Sequence, residues 1–302
     1  MSSVSFVIPV FNKSTFLEYI IQSLRSQKGN FEKEFIFIDD GSTDDSYSKL
    51  KTLTKGLKSC KILKQDNKGS ANATNVGINL AKMKYIKFLD ADDVILSETT
   101  MTLINLLEKN PNIVLAYGLQ RKVESLKNVD LSEKFNRDDY SIISNTLFKA
   151  MRNSMFNPSQ FLARADLCKQ VGGCDERIKF SQEYSLTLRL SVFGEFIRLN
   201  HPIAILPLSV PGQISEKKNN QIFRVSKALE LFIEDNPALE IKSLLYAQRR
   251  ITARAWRFAK RFKNDGYFSS WFLLYLKGIF GVKTNILENC KQANRVYDGF
   301  LD

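Results

Sequence analysis

Three carboxylates stand within four residues at Asp90-Ala91-Asp92-Asp93, directly after the apolar run YIKFL. Like charges a few ångströms apart repel and raise one another's pKa, so the cluster calls for a cation. Oxygen donors on a turn suit a hard divalent ion such as Mg2+ or Mn2+, which keeps a few carboxylates and completes its sphere with phosphate oxygens and water. The alternative is a solvated turn; the apolar strand before the cluster, and a second acidic pair after another strand, favour the cation. That second pair opens Asp39-Asp40-Gly41-Ser42-Thr43. It reads as a strand-to-helix turn with Asp and Ser capping the helix, and one of its carboxylates can brace the turn while the other accepts the imide N–H of a pyrimidine base.

Both clusters need elements to hold them at one place. Residues 4–118 alternate short apolar runs with amphipathic stretches. Strands are predicted at 4–10, 35–38, 61–64, 85–89 and 113–118. Between them fall helices: one from Ser14 with Phe16, Leu17, Ile20, Ile21 and Leu24 inward, one capped by Asp44, Asp45 and Ser46, one from about Ala71, and one capped by Ser97. This β-α-β-α order predicts an α/β fold with a mainly parallel, Rossmann-like sheet covered by helices on both faces. In such sheets ligands bind beyond the carboxyl ends of the strands. Asn12-Lys13, the Asp39–Thr43 turn and Asp90–Asp93 all follow strand ends, so they should converge on one crevice. Residues 119–155 read as loop and helix. A strand near 159–163, a Gly172-Gly173 turn, a helix over 182–193 and two apolar runs at 195–199 and 203–208 follow. Everything from Glu216 reads as helical, with the boundary near Pro211-Gly212, giving a catalytic unit of 1–215 and a helical region of 216–302.

Composition bounds the rest. With 302 residues and 44% apolar side chains the chain can bury a full core. Cys60, Cys168, Cys174 and Cys290 are scattered, form no CxxC pair and have a single histidine for company, which argues for reduced thiols over a zinc site. No leader segment or long apolar stretch is evident, so the expected location is the cytoplasm, with peripheral attachment to the inner face of the cell membrane. The net charge of +12 is uneven: Arg249 to Lys263 carries seven basic residues and no acidic one. Such a block implies a polyanionic partner. Arg250, Arg254, Arg257 and Arg261 share a helical period beside Ile251, Ala255, Phe258 and Phe262, and the aromatic stretch 267–280 is too short to span a bilayer. A helix lying in an anionic membrane interface and a helical appendage with a solvated basic face are both open.

The pieces SFVIPVFN, FIDDGSTDDS, DNKGSANATNVGI, YIKFLDADD, and VGGCDE followed by QEYSLTLRL occur in this order over roughly the first 215 residues. Together they resemble the family 2 glycosyltransferases of GT-A fold. The resemblance implies that Pro9, Phe11 and Asp40 hold the nucleotide, and that the segment with Asn67, Lys68, Gly69, Asn75 and Gly77 closes over base and phosphates. It further implies that Asp90 and Ala91 lie on the ribose side, that Asp92 ligates Mn2+ or Mg2+, and that Glu183 is the catalytic base. The implied activity is inverting transfer from a nucleoside diphosphate sugar, UDP-linked, to a hydroxyl of a cell-surface glycan or glycolipid precursor, with no covalent enzyme nucleophile. Three positions depart from the pattern. Thr74 replaces a frequent arginine, Cys174 an aromatic residue and Glu183 an aspartate, the last moving the base by about 1.5 Å. His201 reads as structural, and Val210 to Ser215 as either a donor-covering segment or a linker. Two other activities are weighed. A sugar-nucleotide nucleotidyltransferase lacks its glycine-rich, arginine-bearing loop here. A nucleic-acid-binding protein lacks a stacking platform beside the basic block, so no nucleic acid is expected.

Overall fold

The first strand, β1 (Ser3–Val10), is apolar on both sides because it is covered on both faces. Val4, Phe6 and Ile8 face one helical layer, with Leu17, Ile20 and Leu24 of α1 (Leu17–Arg25) and Leu103 and Leu107 of α4 (Thr99–Lys109). Val7 faces the other, with Ala73 and Ile78 of α3 (Ser70–Leu80) and Cys168 of α6 (Ala165–Gln170). Each of these large side chains contributes about 1.5–3 kcal/mol on burial. The computed structural model describes residues 1–178, 182–208 and 218–299.

Around β1 stand β2 (Glu32–Asp40), which leads into α2 (Ser46–Leu53), then β3 (Cys60–Gln65) and β4 (Tyr85–Phe88), all parallel, in the order β3-β2-β1-β4. The sheet continues through β8 (Phe161–Arg164), antiparallel to both its neighbours, into β6 (Ile113–Val123) and β9 (Glu195–Pro207), which run parallel to each other. Two short strands, β5 (Val94–Ile95) and β7 (Tyr140–Ile143), add to β9 antiparallel. The mixed sheet therefore has nine strands, with helices on both sides: the predicted GT-A plan.

The structure departs from the sequence reading on the β6–β9 side. The apolar runs at 195–199 and 203–208 form one strand, β9, that passes through His201-Pro202; Pro202 pairs Leu119 at a register shift, where a missing N–H is tolerated. The stretch 119–155 holds the outer half of β6, β7 and α5 (Thr146–Arg152). Residues Leu119 to Lys122 of β6 are exposed, which erased the apolar pattern that would have announced a strand. At 159–163, Pro158–Gln160 forms a 3-10 turn and the strand starts at Phe161.

Beyond the sheet, α7 (Gln182–Leu190) is followed by α8 (Lys218–Asp235), α9 (Ile241–Phe262), α10 (Ser270–Ile279) and α11 (Ile286–Asn294). Apolar packing crosses the boundary drawn at 215: Met151, Tyr184 and Leu188 share one core with Leu229, Phe232, Ile251, Ala255 and Tyr297. Ile251, Ala255 and Phe258 face inward as their spacing predicts. Arg254 does not lie on a solvated face; it is 5% exposed and donates to the carbonyls of Met151 and Arg152 at 3.3 and 2.8 Å. Among the described residues no helix is long and apolar enough to cross a membrane.

Gly77 is where α3 touches β1 most closely. A Cβ there would lie 2.3 Å from Val7 Cγ1, on a stiff side chain packed on both sides. Gly77→Ala should therefore destabilise by about 1–3 kcal/mol, and Val7→Ala in the same chain should recover much of the loss. Denaturant unfolding of the single and double variants checks this.

Candidate active site

The crevice is assembled at the end of β1. Val10 lies beside Asp39 of β2, and Val7 beside Phe88 of β4, so the ends of β2 and β4 flank β1 about 10 Å apart. Past β1 the chain turns through Asn12, a left-handed residue at φ 51°, a conformation asparagine tolerates well. Its side-chain oxygen accepts the Thr43 N–H at 2.8 Å, while its own N–H donates to Ser42 Oγ at 3.0 Å. The Lys13 N–H donates to Ser46 Oγ at 2.8 Å. The first turn is thus bolted to the second, and Lys13 is aimed across the crevice, where Nζ meets Asp92 Oδ2 at 2.6 Å.

The two aspartates that end β2 divide the work. Asp39 Oδ1 accepts the Ser42 N–H at 2.9 Å and braces the turn, leaving Oδ2 buried without a partner. Asp40, 3% exposed, reaches to the segment after β3. Its Oδ1 accepts Gln65 Nε2 at 2.7 Å and the Lys68 N–H at 2.9 Å, and its Oδ2 accepts the Gly69 N–H at 2.8 Å. Lys68 thus contributes its backbone here, while its side chain is exposed. Asn75 turns to the Gly172-Gly173 loop: it donates to the Cys174 carbonyl and to Glu176 and accepts the Cys174 N–H at 2.7 Å. A Cβ on Gly173, at φ 69°, would lie 2.3 Å from Asn75 Oδ1, so the second glycine is required.

At the end of β4, the Asp90 N–H donates to Ser159 Oγ at 3.0 Å, and Ser159 Oγ donates to Asp93 Oδ2 at 2.6 Å. Lys87, inside β4 and fully buried, donates to the Phe88 and Ser159 carbonyls at 2.9 and 2.6 Å. Burial lowers the Lys87 ammonium to about 7. Burial, then the Asp92 and Glu183 carboxylates, raise Asp90 to about 8 against the pull of Lys13 and Lys87. Asp93 is raised well above its ordinary range by burial and by Asp90 and Asp92. Ala91 is packed into the core, so only its backbone can face a ligand.

Glu183, in the first turn of α7, lines a small pocket with Pro9, Thr74, Phe88, Pro158 and Cys174. Burial lifts its carboxyl to about 7, against the backbone and a hydrogen bond with the Ser154 side chain. Phe11, 44% exposed, stands at the crevice mouth. Cys174 is a buried thiol raised by desolvation, as a packing residue would be. His201 makes its contacts elsewhere, stacked on Phe135 at 5.1 Å and 3.8 Å from Glu133. Val210 to Ser215 lie outside the described residues. The sequence reading named Lys13 only as part of a polar turn and missed Lys87 and Ser159; a lysine inside YIKFL, an otherwise apolar buried strand, was the available signal.

Among the described residues no three His, Cys, Asp or Glu side chains converge on a metal-binding point. The crevice instead offers Asp92, a carboxylate already paired with a cation, beside two acids whose carboxyls burial and repulsion hold above their ordinary range. That donor set fits a divalent ion that takes one or two carboxylate oxygens and fills its remaining positions from phosphate and water.

The sequence profile of Glycosyl transferase family 2 matches residues 5–171. The chain belongs to glycosyltransferase family 2. This glycosyltransferase is 29% identical over 224 residues to an uncharacterised glycosyltransferase of Rickettsia prowazekii, covering 72% of this chain and 68% of that one. It is 30% identical over 175 residues to the GalNAc(5)-diNAcBac-PP-undecaprenol beta-1,3-glucosyltransferase of Campylobacter jejuni, covering 52% of this chain and 55% of that one. Its fold matches S. aureus TarS 1-349, solved in complex with UDP-GlcNAc, with a TM-score of 0.68 at 14% identity, covering 99% of this chain and 91% of that one.

Within the glycosyltransferase's crevice, Ser159 is the link that can be cut cleanly. Ser159→Ala leaves Asp93 and the Asp90 N–H without partners in a buried setting, which should destabilise by about 1–3 kcal/mol. Denaturant unfolding measures the loss; an unchanged midpoint would contradict the assigned network.

Proposed function

We propose that the protein is an inverting glycosyltransferase that moves a sugar from a UDP-sugar to a hydroxyl of a glycan or lipid-linked glycan acceptor, with Glu183 as its base. The carrying observation is the meeting, in one crevice, of the β1, β2 and β4 ends with the α7 carboxylate. Pro9, Phe11 and Asp40 then form the nucleotide side. Asp40 Oδ2 holds a single hydrogen bond and keeps a second acceptor position, which suits the imide N–H of uracil. Lys68 closes over the phosphates, Asn75 acts by fixing the Gly-Gly-Cys turn behind them, and Asp90 with the Ala91 backbone borders the ribose. Residues 1–215 make up the catalytic unit and 216–302 its helical support. The UDP-GlcNAc bound by TarS supports the donor class. The acceptor class is supported by the lipid-linked glycan named for the Campylobacter enzyme and the poly(ribitol-phosphate) named for the S. aureus relative TarP, 31% identical over 156 residues.

The reaction follows from these positions. Glu183 takes the proton of the acceptor hydroxyl as its oxygen attacks the anomeric carbon; the bond from that carbon to the diphosphate breaks, and UDP leaves with the electron pair. Attack and departure on opposite faces invert the centre. Lys13, held by Ser46 and Asp92, lies where it can face the charge that develops on the diphosphate. A divalent cation at Asp92, Mn2+ or Mg2+, would supply further stabilisation of that charge.

Glu183 must be ionised to act, and its carboxyl is held at about 7. Transfer should therefore rise with pH through about 7 and fade below it. Glu183→Gln should lower kcat by about 10^2 to 10^4 while UDP still binds. The stability sign is opposite: a carboxyl raised in the folded state stabilises the fold at low pH, and that contribution is lost as pH climbs through about 7. At pH 8 the Gln variant should then melt no lower than the parent. Release of labelled sugar from UDP-sugar, followed against pH in both proteins, tests the assignment; a Gln variant with parental kcat would remove Glu183 from the chemistry.

A further inference from the structure

A second cavity lies away from the carboxylates. It is a groove of about 690 Å3 lined by Arg152, Arg249, Arg250, Arg257 and Lys260 together with Trp256, Tyr275 and Ile279. Arg177 and Arg189 are ion-paired with Asp175. The five basic residues of the groove, by contrast, have no acidic partner among the described residues. Arg250 is further pressed by Arg254, Arg257 and Arg152, and its Nε is buried without a hydrogen-bond acceptor. A guanidinium N–H without an acceptor, set among like charges, is stabilised when an anion binds beside it. The groove is amphiphilic as well: at its α10 end Ile279 is 40% exposed and the adjoining Phe280 76% exposed.

The groove also adjoins the chemistry. Arg250 and Arg254 each donate to the Arg152 carbonyl at 2.8 Å. Two residues along, the Ser154 side chain is near enough to Glu183 to draw its carboxyl down, and two residues of extended chain span at most about 7 Å. We propose that the α9–α10 groove is an acceptor subsite that takes the diphosphate of a lipid-linked acceptor, the first carbons of the lipid lying against Ile279 and Phe280. The proposal rests on the glycosyltransferase reading above and adds the site that holds the acceptor's diphosphate. Arginine forks match phosphate oxygens bidentately, and a concave wall of them fits a group that enters rather than a flat anionic surface.

The test uses the full chain and neutral phosphatidylcholine vesicles containing a few mole per cent of undecaprenyl diphosphate, with binding read by flotation and by quenching of Trp256, one of two tryptophans in the chain. Arg249 and Arg257 are exposed, so the double variant R249A/R257A should fold, and a parental melting midpoint verifies that. Its affinity for these vesicles should fall about tenfold or more, and free pyrophosphate should displace the parent protein from them. Three results would each overturn the proposal: parental binding by the double variant, equal binding to phosphatidylglycerol vesicles of matched charge, or free pyrophosphate binding as tightly as the lipid. None of these measurements involves UDP-sugar or Glu183, so failure here and failure of the transfer reading are separate.

Discussion

The ion pair between Lys13 and Asp92 holds the crevice together, because the charge it neutralises is created by the fold itself. A sheet that ends β4 in Asp90-Ala91-Asp92-Asp93 gathers carboxylates where water is scarce, and burial makes Asp90 and Asp93 harder to ionise. Lys13 answers from the neighbouring strand end, and Lys87 from within β4 itself. Everything around these groups serves to keep them in place. Ser42, Ser46 and Asn12 lock the first two turns to each other, and Ser159 carries the network across to β8. The acidity that remains fits the divalent ion and diphosphate proposed for the crevice.

The C-terminal helices take part in the same arrangement. Tyr184, next to Glu183, is buried in the core that α8, α9 and Tyr297 build against α7. The backbone of Met151 and Arg152, which leads to Ser154, is gripped by Arg254 and Arg250. The position of Glu183 therefore depends on packing supplied by residues beyond 218, although the profile match ends at residue 171.

Much of this was legible before any coordinates. The alternation of apolar runs and amphipathic helices over the first 118 residues fixes a parallel sheet, and the acidic turns at its strand ends point to one crevice; β1, β2 and β4 meet there as expected. What the residues hid has physical causes. The outer half of β6 shows polar, exposed side chains, so its strand has no periodic signature. Arg254 has the spacing of a surface arginine, yet two carbonyls at the end of α5, more than a hundred residues earlier in the chain, draw it inside. Asn75 and Asp40 carry polar groups that suit a nucleotide, and only the structure reveals how far backbone amides already engage them. Long-range pairing of this kind leaves no trace in local sequence.

The proposed divalent ion at Asp92 would couple metal binding to nucleoside diphosphate binding. Calorimetric titration of UDP into the protein, with and without Mn2+, measures that coupling directly. Mn2+ should tighten UDP binding in the parent, and Asp92→Ala should remove the Mn2+ effect while leaving a weaker, metal-independent affinity for UDP. Equal UDP affinity with and without Mn2+ in the parent, or an undiminished Mn2+ effect in the variant, would contradict that coupling.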